Sequence, residues 1–159
     1  MTGTLRIIEL RAADARDIDV VTAIMQAAFD PRYGEAWTAA QCLGMLTLPG
    51  VWLTIAEIDA RPAGFALART VIDDAELLLI ATLPAMRGRG VGGALLRSVA
   101  ADARTRGATR LHLEVRANND AVRLYLREGF AQVGTRPAYY RGKAGDQYDA
   151  HSYARDLSQ

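Results

Sequence analysis

The sequence has few of the residues that covalent cross-links or metal sites require. Its one cysteine, Cys42, cannot form an internal disulfide. Cys42 lies in an apolar stretch with helical spacing, which favours a small buried side chain over a reactive thiol. The two histidines, His112 and His151, are far apart and belong to no Cys/His cluster. The sequence therefore predicts no metal site.

An excess of either charge is also lacking. Nineteen Lys and Arg residues face eighteen Asp and Glu residues, which leaves a net charge of +1. Nucleic-acid binding usually needs a clustered basic excess, so we expect no nucleic-acid partner. No apolar run approaches the ~20 residues that cross a bilayer. Charged residues interrupt the start of the chain, where a secretion signal would need an apolar stretch. We therefore expect a cytoplasmic protein with no membrane partner.

Low-complexity linkers and internal repeats are absent as well. Half of the 159 residues are hydrophobic and 23% are charged, which is typical of a globular protein. A chain of this length is large enough to bury a core of its own. We expect residues 1–159 to form a single domain.

Hydrophobic periodicity predicts alternating strands and helices. Helices are predicted at residues 14–29, at residues 39–45 behind a Thr38 cap, from Val91 to a stop at Gly107, and at residues 120–128. The predicted strands are residues 5–10, 51–57, 63–71, 75–81, 111–115, 130–134 and 147–157.

The order of these elements predicts the fold class. Residues 51–57 and 63–71 flank a short turn and predict an antiparallel hairpin. Residues 75–81 form a nearly continuous apolar run, which is typical of a strand buried on both faces. The helix that follows connects this strand to residues 111–115, an arrangement that predicts a parallel pair joined by a crossover. We expect an α/β fold with a mixed sheet.

A glycine-rich turn, residues 87–93, joins the strand at 75–81 to the long helix. Glycines at four of its positions let the backbone bend tightly and approach a ligand closely. The first N–H groups of the helix have no partners within it and carry the positive end of its dipole. Such a turn favours a phosphate ligand, and Arg87 and Arg89 would add positive charge. A tight connection with no ligand is the simpler alternative.

Two other phosphate motifs can be compared with this turn. A Walker loop requires Lys and then Ser or Thr, whereas Gly93-Ala94 stand in those places, so that interpretation fails. The dinucleotide pattern G-x-G-x-x-G is met by residues 88–93, and Glu114 ends the next strand as a ribose-binding acid would. However, residues 82–86 separate the turn from its strand, and only about 70 residues follow it. Both points argue against a dinucleotide site.

Residues 75–130 closely resemble the GNAT superfamily of N-acetyltransferases. The superfamily's CoA signature, Gln/Arg-x-x-Gly-x-Gly/Ala, is met by Arg87, Gly90 and Gly92. Residues 75–81 resemble its fourth strand, and residues 113–130 resemble its fifth strand and the helix that follows. Three segments in the right order carry the resemblance.

Within the superfamily, the chain most resembles bacterial enzymes that acetylate the alpha-amino group of a ribosomal protein alanine. The residues in question are Ala36-Trp37-Thr38, Leu113-Glu114-Val115-Arg116, Tyr139-Tyr140 and Asp149-Ala150. The resemblance implies transfer of an acetyl group from acetyl-CoA to a protein N-terminus. A small-molecule amine as acceptor, or a CoA-binding module without turnover, are the alternatives.

The resemblance also implies a set of site residues. In the superfamily the fourth and fifth strands splay apart, and the pantetheine arm of CoA lies between them. Glu114 would be the general base and Tyr125 the general acid. The residues expected to bind CoA are Leu79, Ile80, Ala81, Arg87, Gly88, Arg89, Gly90, Val91, Gly92 and Asn118.

Each expected role has an alternative. Glu114 could be a solvated or ion-paired carboxylate, and Tyr125 could be a core aromatic residue. Glu76 is a second candidate base, while His112 is expected to be structural. The chain has one residue fewer between Glu114 and Tyr125 than the superfamily usually has, so Asn119 competes with Asn118 for the place near CoA. Leu79 also stands where relatives often have a polar residue.

Overall fold

Seven strands form one mixed sheet in the computed structural model, which describes residues 7–142 and 144–158. The strand order is β1-β2-β3-β4-β5-β7-β6. β4 and β5 are parallel, and every other neighbouring pair is antiparallel. The strands are β1 (Ile8–Ala13), β2 (Val51–Ile58), β3 (Arg61–Val71), β4 (Asp74–Thr82), β5 (Arg110–Arg116), β6 (Ala131–Arg141) and β7 (Gln147–Asp156). The predicted α/β class with a mixed sheet is confirmed.

Four α-helices connect or cover these strands: α1 (Ile18–Ala28), α2 (Ala39–Leu46), α3 (Val91–Thr105) and α4 (Val122–Arg127). The predicted Thr38 cap of α2 is present, because its hydroxyl accepts a bond from Gln41 N–H and Gln41 Oε1 accepts one from the backbone N–H of Thr38. α3 is the crossover between β4 and β5, as the element order predicts. Within the described ranges, no helix has the length and apolarity that crossing a membrane requires.

Some boundaries differ from the prediction. β1 ends at Ala13 rather than at residue 10, because it stays paired with β2 from Ile8 to Ala13. Leu5 and Arg6, where this strand was expected to begin, lie outside the described residues. β6 runs to Arg141 instead of residue 134, since its pairing with β7 resumes at Tyr140 after an irregularity. The ends of β1 and β6 are thus set by their pairing with neighbouring strands, which the local hydrophobic pattern does not show.

Two cores lie on opposite faces of the sheet. On one face, α3 buries all five residues of its predicted apolar stripe, Val91, Leu95, Leu96, Val99 and Ala103. On the other face, α1 and α2 pack against β2, β3 and β4 and bury the residues Val21, Ile24, Met25 and Cys42. Cys42 is thus a buried small side chain, as predicted, and burial raises the pKa of its thiol.

A bulge in β4 moves its odd-numbered residues from one core to the other. Leu67 of β3 pairs with Leu79, but the next residue, Ala68, pairs with Leu77, so one residue of β4 is left over. Leu77 consequently packs in the α3 core and Leu79 in the α1 core. The prediction that the whole strand is buried on both faces is wrong in its second half, where Leu78 and Ile80 are only half-buried.

The pairing of β4 with β5 is short, and this opens the sheet. The two strands pair only from Asp74 with Arg110 to Leu77 with Leu113. Beyond this point β4 stays bonded to β3 and β5 stays bonded to β7. The strands therefore diverge, as the resemblance implied, and their facing edges are unpaired along the gap.

A pair of glycine substitutions tests how tightly β3 packs beside this gap. A Cβ on Gly64 would lie 2.6 Å from the carbonyl oxygen of Ala81, whereas a Cβ on Gly44 of α2 would meet nothing within 4 Å. We expect Gly64→Ala to lower the free energy of unfolding by about 1–3 kcal/mol through overpacking. The control, Gly44→Ala, should raise it by about 0.5–1 kcal/mol, since alanine favours a helix interior. Urea unfolding followed by circular dichroism measures both, and equal effects would contradict the packing described.

Candidate active site

The gap between β4 and β5 opens into a groove of about 1410 Å³. Its walls come from the second halves of these strands, the glycine turn, the loop between α1 and α2, the start of α4 and the end of β6. The groove therefore joins the glycine turn to the polar residues of β5, which are far apart in the sequence.

The glycine turn has the geometry of an anion site. Gly88 and Gly90 have φ angles of 77° and 84°, which residues with a side chain rarely adopt. The first helical bond of α3 runs from Ala94 N–H to the carbonyl of Gly90. The N–H groups of the three residues between them thus have no helical partner at the positive end of the helix dipole. A pyrophosphate fits this arrangement.

Most of the residues expected to bind CoA line the groove. They are Leu79, Ile80, Ala81, Arg87, Gly88, Gly90, Val91, Gly92 and Asn118. Arg89 is exposed and is not part of the lining. Arg87 donates a hydrogen bond to the carbonyl of Ala28 at 3.2 Å, which ties the turn to the end of α1.

The free edge of β4 fits an extended ligand. Its backbone groups on the side of β5 have no strand partner after Leu77. Leu79, Ile80 and Ala81 belong to this stretch, so an extended chain that carries amide groups can hydrogen-bond to it as a further strand would.

Glu114 lies on β5 where the two strands diverge. Its side chain is 18% exposed, and its Oε1 lies 2.8 Å from Nε of Arg136 on β6. The hydroxyl of Tyr140 donates a bond to the backbone carbonyl of Glu114 at 3.4 Å. Of the two interpretations offered by the sequence, an ion-paired carboxylate is present, and it faces the groove where a base would be needed.

Tyr125 of α4 is both a core residue and part of the groove wall. Its ring packs near Phe130 and Tyr153, at centroid distances of 5.9 and 6.3 Å. Burial raises the pKa of Tyr125 far above its ordinary value, with the nearby Tyr140 and Glu35 contributing. Its hydroxyl therefore remains protonated at any physiological pH and can act only as a proton donor or neutral acceptor.

Glu76 and His112 lie side by side on β4 and β5. The two residues are in register, and Glu76 lines the groove. Burial raises the pKa of Glu76, while His112 opposes this and Glu114 adds to it. His112 Nε2 lies 2.7 Å from Asp74 Oδ2, which agrees with the structural role expected for this histidine.

The two asparagines after β5 have different partners. Asn119 accepts a bond from Ala121 N–H and donates one to Glu35 Oε2 at 3.3 Å, so both ends of its amide are engaged. Asn118 accepts a bond of 2.6 Å from Arg116 through its carbonyl oxygen. Its amide nitrogen is left for a ligand, which favours Asn118 as the residue near CoA.

Sequence reasoning missed a buried ion pair at the edge of the groove. Arg116 Nε lies 3.2 Å from Oε1 of Glu35 in the loop between α1 and α2, and the two side chains are 8% and 11% exposed. The guanidinium also stacks 3.5 Å from the ring centroid of Tyr33. Arg116 lies two residues after Glu114 and therefore on the same face of β5, and this spacing was the one available signal. Glu35 lies in a loop without any pattern.

No group of three or more His, Cys, Asp or Glu side chains in the described part of the chain is arranged to hold a metal ion. Charged side chains that line the groove are instead engaged in ion pairs, Arg116 with Glu35 and Glu114 with Arg136 of β6. What the groove offers is an anion site, an unpaired strand edge, carboxylates and a buried tyrosine hydroxyl.

Comparison with known proteins matches this geometry to one family. The model of the acetyltransferase (GNAT) family matches residues 18–130. The [ribosomal protein bS18]-alanine N-acetyltransferase of Haemophilus influenzae is 40% identical over 87 residues, 55% of this chain and 60% of that protein. The enzyme of the same name from Salmonella typhimurium is 40% identical over 90 residues, 56% of this chain and 61% of that protein. The matches thus span about three fifths of the length of these two relatives.

Among solved structures, the ribosomal-protein-S18-alanine N-acetyltransferase from Escherichia coli superposes with a TM-score of 0.85. It is 28% identical, and the superposition covers 96% of each chain. The similarity therefore extends over the whole sheet and includes the diverging strands.

Glu76 should make the stability of the fold depend on pH. Because burial raises its pKa, the charged form is less stable in the folded chain than in the unfolded one. This penalty is absent below the ordinary glutamate pKa of about 4.3, grows as the pH rises from there to the raised pKa, and is constant above it. Glu76→Gln should therefore be more stable than the wild type at pH 7, and the difference should shrink at pH 4.

Thermal unfolding at both pH values measures this difference. Glu9→Gln is the control, since Glu9 is an exposed carboxylate on β1. A stability gain for Glu76→Gln that is equal at pH 4 and pH 7 would contradict the environment described for Glu76.

Proposed function

We propose, because this chain belongs to the acetyltransferase (GNAT) family, that it transfers the acetyl group of acetyl-CoA to the alpha-amino group of a protein N-terminus. One observation carries the proposal: Glu114 and Tyr125 line the same groove as the glycine turn and the unpaired edge of β4. An anion site for CoA and two groups suited to proton transfer are thus in one place. Residues 1–159 would act as a single acetyltransferase domain.

Acetyl-CoA would bind along the β4 side of the groove. The N–H groups at the start of α3 would hold the pyrophosphate, with Arg87 close by. The pantetheine arm would follow the edge of β4 at Leu79, Ile80 and Ala81, and Asn118 would offer its amide nitrogen. This places the thioester at the point where β4 and β5 diverge.

The reaction needs a base that takes a proton from the amine and an acid that gives one to the departing thiolate. An amine that arrives as an ammonium ion must first lose a proton, and Glu114 would take it directly or through water. The nitrogen lone pair then attacks the thioester carbon, a C–N bond forms and the C–S bond breaks. The departing thiolate takes a proton from the hydroxyl of Tyr125. The nitrogen then loses its second proton to solvent, which leaves the acetylated amine and CoA as products. Glu114 releases the proton that it took and Tyr125 regains the one that it gave, so one proton is released overall.

The surroundings of Tyr125 support the acid role. Like any tyrosine hydroxyl, that of Tyr125 is protonated at neutral pH. The raised pKa makes it a weaker acid than usual, so its position in the groove wall rather than its pKa supports the role. Its packing against Phe130 and Tyr153 holds the ring in one orientation, which a proton donor to a fixed sulfur position requires.

The names of the relatives suggest the acceptor. The proteins from Haemophilus influenzae and Salmonella typhimurium are named for acetylation of an alanine of ribosomal protein bS18. We take an N-terminal alanine of a ribosomal protein as the proposed acceptor, and the cytoplasm as the place of reaction. The aromatic residues Tyr139 and Tyr140, together with the loop around Trp37, line the acceptor side of the groove.

The acceptor can be tested with peptides. Purified protein is incubated with acetyl-CoA and a library of peptides that differ in their first residue, and mass spectrometry locates the acetyl group. We expect acetylation of the alpha-amino group, with alanine preferred at the first position. A peptide with a blocked N-terminus and free lysines is the control.

Two other outcomes would contradict this proposal in different ways. Acetylation of small amines alone would replace the protein acceptor with a small molecule. Binding of CoA without turnover on any amine would instead indicate a regulatory binding module.

The acid role predicts a specific effect of Tyr125→Phe. Loss of the hydroxyl should lower kcat on the order of tenfold to a hundredfold. We expect the low end of what general acid catalysis contributes, because a thiolate is a good leaving group even without a proton. Tyr153→Phe removes a hydroxyl from the neighbouring ring and is the matched control, expected to keep the wild-type kcat. Steady-state kinetics measures both variants, and unchanged kcat in Tyr125→Phe would rule out the acid role.

A further inference from the structure

The contact between Arg136 and Glu114 places a cation of the protein where the proposed reaction needs the cation of the substrate. Arg136 Nε lies 2.8 Å from Glu114 Oε1. An alpha-amino group has an ordinary pKa of about 7.7–8.0, so much of the acceptor reaches the groove as an ammonium ion. The ammonium and the guanidinium then compete for the same carboxylate.

The two partners of this ion pair are held very differently. Glu114 is 18% exposed and sits on β5, which is paired to β7 along its whole length. Arg136 is 60% exposed and sits on β6, at the edge of the sheet. The carboxylate is therefore fixed, and the guanidinium is the partner that can leave.

The backbone around Arg136 also makes its release easy. The regular pairing of β6 with β7 breaks between Arg136 and Tyr140, and Ala138 in this interval has a φ of 52°. The guanidinium carbon lies 5.4 Å from the ring centroid of Tyr139, which offers a second attractive surface once the carboxylate is lost. An ion pair in which one partner is as exposed as Arg136 contributes little to stability.

We propose that Arg136 is a specificity-determining residue that occupies the ammonium position at Glu114 and is displaced by the protonated alpha-amino group of the acceptor. This inference rests on the proposed function and deepens it, since it names the feature of the acceptor that opens the site. An amine that arrives without charge, or that cannot reach Glu114, leaves Arg136 in place. The exchange replaces one cation by another, so Glu114 keeps a positive partner throughout.

Binding of two matched peptides tests the exchange. One peptide begins with a free alanine, and its twin carries an acetyl group on that alanine and so lacks the charge. Calorimetry in the presence of CoA gives the affinity of each peptide for wild type, Arg136→Gln and Arg136→Lys. Arg61→Gln, which removes an exposed arginine at the start of β3, is the control for a change in net charge.

The expected result differs between the two peptides. Arg136→Gln should bind the free peptide about 1.5- to 5-fold more tightly, the range that an exposed ion pair contributes. The same variant should bind the acetylated twin as the wild type does, since a neutral terminus does not compete for Glu114. Arg136→Lys keeps the competing charge and should stay close to the wild type for both peptides.

Other results would overturn the inference. Unchanged or weaker binding of the free peptide by Arg136→Gln would show that Arg136 does not compete with the acceptor. An equal change for both peptides would assign Arg136 a structural role only. Turnover is measured separately. The expected shift in affinity without any acetylation would count against the proposed function alone. Acetylation without the shift in affinity would count against the exchange at Glu114 alone.

Discussion

Neighbouring parallel strands usually remain hydrogen-bonded along their shared length, yet β4 and β5 do so only from Asp74 to Leu77. The bulge in β4 falls next to this point and turns Leu79 away from the core that holds Leu77. Each strand then follows its other neighbour, and two unpaired edges face each other. In a closed sheet the backbone N–H and C=O groups of such edges would bond to a neighbouring strand. In the gap, water or an extended ligand must supply these bonds instead. The groove, the anion site and the proposed thioester position all follow from this divergence.

The acceptor side of the groove depends on a second constraint, the buried pair of Arg116 and Glu35. Removing one partner of a buried ion pair typically costs about 3–5 kcal/mol, because the other charge is left without compensation. Here the pair also fixes geometry. Arg116 bonds to Asn118 and Glu35 bonds to Asn119, so the loop before α2 is connected to the loop that begins α4. One ion pair thus holds together the side of the groove where the acceptor would enter and the asparagine proposed to contact CoA.

The sequence predicts the half of the groove that consists of continuous segments. The glycine turn, the stripe of α3 and the order of elements around β4 and β5 are all local patterns, and each appears where it was expected. The bulge in β4 was not predicted, because in a continuous run of apolar residues nothing in the sequence shows where the side chains change faces. The role of Glu35 was not predicted either, because only the folded chain brings this loop carboxylate next to Arg116. Arg136 lies beyond residue 134, where the predicted strand ended, and pairing with β7 is what brings it to Glu114.

The contrast between continuous segments and residues that only the fold brings together also bears on how such a fold could change its acceptor. A substitution in the glycine turn or on the edge of β4 alters the backbone that CoA would contact, and it acts on every acceptor alike. Glu35 and Tyr140 come from a loop and from an edge strand and line the groove, while Arg136 of the same edge strand meets it through its ion pair with Glu114. None of the three belongs to either core. They can therefore vary at little expense to stability, except where a buried charge would lose its partner. Arg136 is itself 60% exposed, but its loss leaves Glu114, which is 18% exposed, without its partner unless the amine takes that place. We therefore expect Arg136 to change together with the charge and shape of the amine that replaces it at Glu114.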